Sequence, residues 1–148
     1  MKNKANYHYK LHYKKSWITL GLLVVAAVFY LCLEEMPPPV PFISIIPFQD
    51  KYIHFFVYMF LTWWFSRIYT RDKQLLIIFF TFCFMGLMIE ILQTLTEHRT
   101  CELGDAIANT LGCAFGTWNL AGIFPRGLIS ADHTLKNLLN FSSHKNIL

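Results

Sequence analysis

Gln74 to Leu95 reads QLLIIFFTFCFMGLMIEILQTL, an apolar run whose single formal charge, Glu90, stands near its far end. A hydrocarbon core about 30 Å thick is crossed by roughly 20 residues of helix, and this run is long enough. Lipid satisfies no free backbone N–H or C=O, so the crossing form is an α-helix. Three further runs share the pattern: Ser16–Leu33 (SWITLGLLVVAAVFYLCL), the stretch behind Asp50-Lys51 as far as Ser66, and Ala106–Phe124, closed by Pro125. The 148 residues are 55% apolar, 17% aromatic and only 15% charged, against roughly 25% charged in an average soluble domain. That balance excludes disorder and a soluble globule, and four cysteines without paired spacing exclude a disulfide framework. The expected fold class is all-α, a four-transmembrane-helix bundle.

Basic residues orient such a bundle. Eleven of the thirteen Lys and Arg fall in three places: the start of the chain (Lys2, Lys4, Lys10, Lys14, Lys15), the turn after the second run (Arg67, Arg71, Lys73) and the tail (Arg126, Lys136, Lys145). The alternate loops and their flanks hold Lys51 and Arg99 and seven of the nine acids: Glu34, Glu35, Asp50, Glu90, Glu97, Glu102 and Asp105. Both termini are therefore expected in the cytoplasm, with the acidic loops outside. The first run is long for a signal peptide and no small-x-small cleavage site follows it, so it reads as an uncleaved anchor.

The chain divides into a basic cytoplasmic segment at 1–15, the membrane domain at 16–125 and a cytoplasmic tail at 126–148. Five prolines in Met36–Gln49 (MPPPVPFISIIPFQ) forbid a continuous helix there. This loop is expected along the outer interface or folded back over the bundle. In the tail, the spacing of Leu128, Leu135, Leu138 and Leu139 suits a short interfacial helix, with disorder the alternative. Trp17, Trp63, Trp64 and Trp118 are expected to face lipid or the interface and are given no role. Cys32, Cys83 and Cys113 read as packing residues.

Ionisable groups within a membrane require a partner or a purpose. At 1.5 Å rise per residue, His54 lies about 6 Å inside the boundary marked by Asp50. Glu90 lies about 24 Å across from Gln74, and Asn109 about 6 Å in from Asp105. All three depths coincide, near the outer side. Residues three and four apart share a helix face. Asp50, His54 and Tyr58 then form one stripe, Glu90, Gln93 and Glu97 a second, and Asp105, Asn109, Gly112 and Gly116 a third. Gly112-Cys113-Ala114-Phe115-Gly116 is a small-xxx-small surface for close helix packing. An outward-opening polar pocket among three helices follows. Each member also has a plainer reading: Asp50 and Lys51 as interface anchors, His54 as a packed core histidine, Glu90 in an ion pair, Arg99 and Asp105 as a loop salt bridge.

The stretch Asp50-Lys51-Tyr52-Ile53-His54-Phe55 with Tyr58 resembles the opening motif of the VanZ-like family. Glu90-x-x-Gln93, Arg99 and Asp105-x-x-x-Asn109-x-x-Gly112-x-x-x-Gly116 follow in that family's order, over about residues 16 to 124. The resemblance implies a small polytopic protein of the bacterial inner membrane; the family takes its name from a member linked to teicoplanin resistance. It also implies distant similarity to membrane enzymes acting on lipid head groups, with Asp50, Lys51, His54, Glu90, Gln93, Arg99, Asp105 and Asn109 as site positions. One departure stands before Arg99, where the family often has Pro-Gly and this chain has Glu97-His98.

Two functions fit these residues. In the first, a membrane enzyme modifies a lipid head group or lipid-linked cell-wall precursor at the outer leaflet. His54, Glu90 and Asp105 form its catalytic set, with His54 moving a proton. Arg99 and Lys51 hold phosphate oxygens, while Asp50, Gln93 and Asn109 complete the substrate site. In the second, the same cluster binds or shields a ligand without turnover, or only locks the bundle. Transport is disfavoured by a one-sided cluster. No cofactor is expected; a divalent metal bridging Glu90, Asp105 and His54 is conceivable, but spacing across three helices does not establish it. The expected partners are membrane lipids, including a phospholipid or lipid-linked precursor. Nucleic acid is not expected, because the basic residues sit only at the cytoplasmic ends. CxxC, GxSxG, HExxH and phosphate-binding glycine motifs are absent from the sequence.

Overall fold

The computed structural model describes residues 11–33, 49–69, 71–95, 102–119 and 127–145. It is all-α, with α1 Lys14–Leu33, α2 Gln49–Ile68, α3 Asp72–Gln93, α4 Leu103–Ala114 and α5 Gly127–Lys145. A π-helical turn, Phe115–Asn119, extends α4. Helix ends follow the charges that interrupt the apolar runs. Asp72 in the first turn of α3 suits that helix's positive end, and Thr94 closes its far end by donating Oγ1–H to the Ile91 carbonyl at 2.6 Å. The fourth run, expected to reach Phe124, is described as helix to Asn119. The proline-rich loop at 36–48, Arg99 and Cys101 lie outside the described residues.

α1 and α3 are each long and apolar enough to cross a membrane. Burial in the bundle runs opposite to that of a soluble core. Thr62, Ser66, Glu90, Gln93, Asn109 and Thr117 are buried, while Leu23, Leu31, Phe56, Ile77, Phe80 and Phe84 are exposed. Soluble proteins rarely bury carboxylates and amides while turning leucine and phenylalanine outward; a lipid solvent favours that arrangement.

α2 is the hub, and its most extensive partner is α4. The cause is glycine. A Cβ at Gly112 would overlap the Phe55 carbonyl oxygen, and one at Gly116 would overlap the Met59 carbonyl oxygen and Thr62 Oγ1. The two backbones therefore touch within the bundle, as small-residue faces permit. The π turn keeps Gly116 and Thr117 buried while Phe115 and Trp118 face outward. Below the polar region, Tyr58, Leu61, Phe65, Phe82 and Cys113 make the apolar core.

The two ends of the described chain meet at one end of the bundle. Asp132 of α5, 1% exposed, accepts the backbone N–H groups of His12 at 2.7 Å and Tyr13 at 3.0 Å. It also accepts His12 Nδ1–H at 3.0 Å and the Trp17 indole N–H at 2.8 Å. An anion thus sits against the start of α1, where free N–H groups and the helix dipole favour one. Lys136 Nζ reaches His12 Nε2 at 3.0 Å, extending the chain of contacts. The tail left open between helix and disorder is a helix. Leu128 is buried, and Leu135, Leu138 and Leu139 are exposed.

Trp17 and Trp64 depart from the expectation that the tryptophans carry no role. Trp64 donates its indole N–H to the Trp17 carbonyl at 3.1 Å, and the two rings meet edge to face at 5.7 Å. The reason is the indole N–H, which needs an acceptor once partly buried.

Burial works against the Asp132 charge, but the His12, Trp17 and Tyr13 donors outweigh it and hold its carboxyl down to about 2, from an ordinary 3.8. A depressed folded-state value stabilises fully above the ordinary one, and the contribution is lost as pH falls through the folded one. Asp132→Asn should cost about 2 kcal/mol at neutral pH by weakening bonds to a buried acceptor. The melting temperatures of the wild type and the variant in detergent, read from pH 7 down, should converge toward pH 2.

Candidate functional site

At the opposite end of the bundle, the N-termini of α2 and α4 meet the C-terminus of α3. Lys51 is the outer element. Its ammonium lies 2.8 Å from Asp50 Oδ2, 2.7 Å from Glu102 Oε2 and 3.1 Å from Asp105 Oδ1. Glu102 occupies the N-cap position of α4 but makes no side-chain cap bond there; its carboxylate goes to Lys51 instead. The lysine stem crosses Gly104, where a Cβ would stand 2.6 Å from Lys51 Cε. Lys51 lies ahead of the apolar run, and hydrogen bonds to Asp50, then Glu102, raise its pKa above the ordinary 10.5.

Exposure falls along the cluster, which gives it a mouth and a floor. The Glu102 and Asp50 side chains are 53% and 45% exposed, Lys51 25% and Asp105 12%. His54, Glu90 and Asn109 behind them are buried. His54 Nδ1 and Asn109 Oδ1 are 3.1 Å apart. An amide oxygen only accepts, so His54 Nδ1–H is the donor in this bond. His54, Glu90 and Asp105 each bring a donor atom within 4.8 Å of the other two, as do Asp50, Glu102 and Asp105.

The fold thus brings together Asp50, Lys51, His54, Glu90, Asp105 and Asn109, from three helices. Gln93, assigned to substrate by its position, donates Nε2–H to the Cys32 carbonyl at 2.7 Å. It ties the ends of α3 and α1. Gly112 and Gly116 lie in the α2–α4 contact beneath. Sequence reasoning did not single out Glu102 or Gly104 as site residues. The signal available was the acid one turn ahead of Asp105 and the glycine between them. A separate apolar groove on α1, lined by Leu22, Val25, Ala26, Phe29, Tyr30 and Leu33, shares no residue with the polar cluster.

Chemically the cluster can hold a cation, orient a neutral imidazole and present amide and carboxylate groups to a ligand. Its outer part is acidic: three carboxylates surround one ammonium. Lys51 is therefore already neutralised, which leaves it a weaker anion holder than its sequence position suggests.

This is the helical frame and polar constellation of a small membrane protein, and comparison with known proteins agrees. The profile of the VanZ/LLP1 family matches residues 17–124, and the chain belongs to that family. Its members are membrane proteins, and the two apolar helices fit membrane insertion. An uncharacterized protein of Schizosaccharomyces pombe is 34% identical over 110 residues, covering 72% of this chain and 62% of the relative. The chain thus spans less than two thirds of that protein's length. No solved structure matches it.

Lys51→Met should destabilise the detergent-solubilised protein by about 2 kcal/mol, between the values for exposed and buried ion pairs, because three carboxylates lose their counter-charge. Adding Glu102→Gln should return part of that loss. A double-mutant cycle of melting temperatures measures the coupling.

Proposed function

We propose that this chain crosses the membrane four times with both termini in the cytoplasm, and that its polar pocket binds or modifies a lipid head group at the outer leaflet. Support for four spans comes from the outward-facing apolar residues of α2 (Phe56, Phe60) and α4 (Ile107, Leu111). The His12–Asp132 contact, which holds the start of α1 against α5 at one end of the bundle, supports the shared side. The distribution of Lys and Arg makes that side the cytoplasm. In the bacterial inner membrane, the ligand would be a phospholipid or a lipid-linked cell-wall precursor such as a polyprenyl phosphate. A relative in a eukaryote favours chemistry common to both kinds of membrane.

The observation that carries this reading is the convergence of His54, Glu90 and Asp105 from three helices within 4.8 Å, behind a partly exposed mouth. In the enzymatic form, His54 moves a proton at Nε2, and Glu90 and Asp105 steady the charge that develops. Asn109 fixes the ring through Nδ1, and Arg99 supplies the phosphate fork. The engagement of Gln93 by Cys32 and of Lys51 by three carboxylates favours a second form, binding without turnover.

Lipid extracts from cells with and without the protein, compared by mass spectrometry, test the reading. The enzymatic form predicts a head-group difference that disappears in His54→Ala and Glu90→Gln. An active-site group tends to be held at some cost to stability, so Glu90→Gln should then leave the melting temperature unchanged or raised. In the binding form, Glu90→Gln lowers stability by about 3–5 kcal/mol if Glu90 is one partner of a buried charge pair, and no product is found. Unchanged lipids together with no measurable lipid binding would reject both forms.

A further inference from the structure

We propose that His54, Glu90 and Asp105 form a divalent-cation site at the floor of the pocket. One imidazole and two carboxylates, each residue nine-tenths or more buried, have donor atoms within 4.8 Å of one another. This is a mixed nitrogen–oxygen set of three protein ligands, of the kind that suits Mn2+ or Zn2+. The histidine is prepared for the task. Asn109 Oδ1 accepts from Nδ1–H at 3.1 Å, so in the neutral ring Nε2 is the ligand nitrogen, and such an outer partner commonly orients a metal-bound histidine.

Charge points the same way. Asp50, Glu102 and Asp105 outweigh the Lys51 ammonium by two units, and Glu90 is a further acid behind them. Asp105 belongs to both trios, its Oδ1 on Lys51, and joins the mouth of the cluster to its floor. A second, independent observation comes from Asn109. This residue is 2% exposed, yet its Nδ2 has no hydrogen-bond partner among the described residues. That nitrogen is the atom a Cβ on Gly86 would approach, at 3.1 Å, one helical turn from Glu90. It is a spare donor on the Glu90 side of the site, suited to an oxygen ligand such as water or phosphate held there. The ion's presence does not rest on the head-group reading. Its role in that reading does: with Nε2 as a ligand rather than a proton carrier, the ion belongs to the form that binds without turnover, where it would give an acidic cluster the positive charge needed to take a phosphate oxygen.

The test is Mn2+ alone, titrated into the full chain in detergent after chelator treatment and followed by electron paramagnetic resonance. One Mn2+ per chain is expected, with a hyperfine coupling from a directly bound imidazole nitrogen. That coupling should vanish in His54→Ala, affinity should fall at least tenfold in Glu90→Gln, and Asp72→Asn, in the first turn of α3 at the other end of the bundle, should leave it within about threefold. Absence of binding overturns the proposal. So does Mn2+ bound without nitrogen coupling, which would place the ion on the outer carboxylates. The wild-type spectrum decides the matter even if a variant fails to fold. Nitrogen-coupled Mn2+ with unaltered lipids and no lipid binding would keep the cation site and remove the head-group function.

Discussion

The backbone contact of α4 with α2 sets the positions of the polar groups that these two helices bring to the cluster. Gly112 and Gly116 have no side chain to hold the helices apart, so the Phe55 and Met59 carbonyls lie against them. Asn109 and Asp105, one and two turns earlier on α4, are thereby carried to His54 and Lys51 on α2. In lipid, apolar side chains gain little by leaving their solvent, and helices associate through close packing and polar bonds. The glycine seam and the polar cluster are therefore two parts of one device. The first brings the backbones together, and the second rewards that approach with bonds unavailable in hydrocarbon.

The cluster is graded from wet to dry. Its mouth is an ammonium among three partly exposed carboxylates, and its floor is an imidazole, an amide and carboxylates sealed by α3. Such a gradient keeps the charge at the mouth and the floor dry. The surplus of acids also changes what Lys51 does. By position it is an anion holder; by contact it is the counter-ion that lets Asp50, Glu102 and Asp105 stand together.

Much of this was legible in the linear text, for a physical reason. Charges bracket the apolar runs, so the helices could be bounded within a few residues, and the helical repeat placed His54 with Tyr58 and Glu90 with Gln93 before any coordinates. Contacts made across long separations were not legible. Asp132 looks like an ordinary tail acid, because its donors His12, Tyr13 and Trp17 lie more than a hundred residues away. Glu102 looks like a solvated loop acid or a helix cap until Lys51 of another helix is seen to take it. Gln93 shares a face with Glu90, but the text gives no hint that the Cys32 carbonyl waits for its amide. Periodicity says which side a residue is on and is silent about which partner stands there.

The seat of Asp132 against the start of α1 also bears on biosynthesis. The ribosome makes residue 14 long before residue 132, so the first helix enters the membrane with its opening N–H groups uncapped. It receives its anion only after every later helix has been translated and α5 has swung back. The contact that seals the start of α1 is thus among the latest of the described contacts that synthesis allows to form.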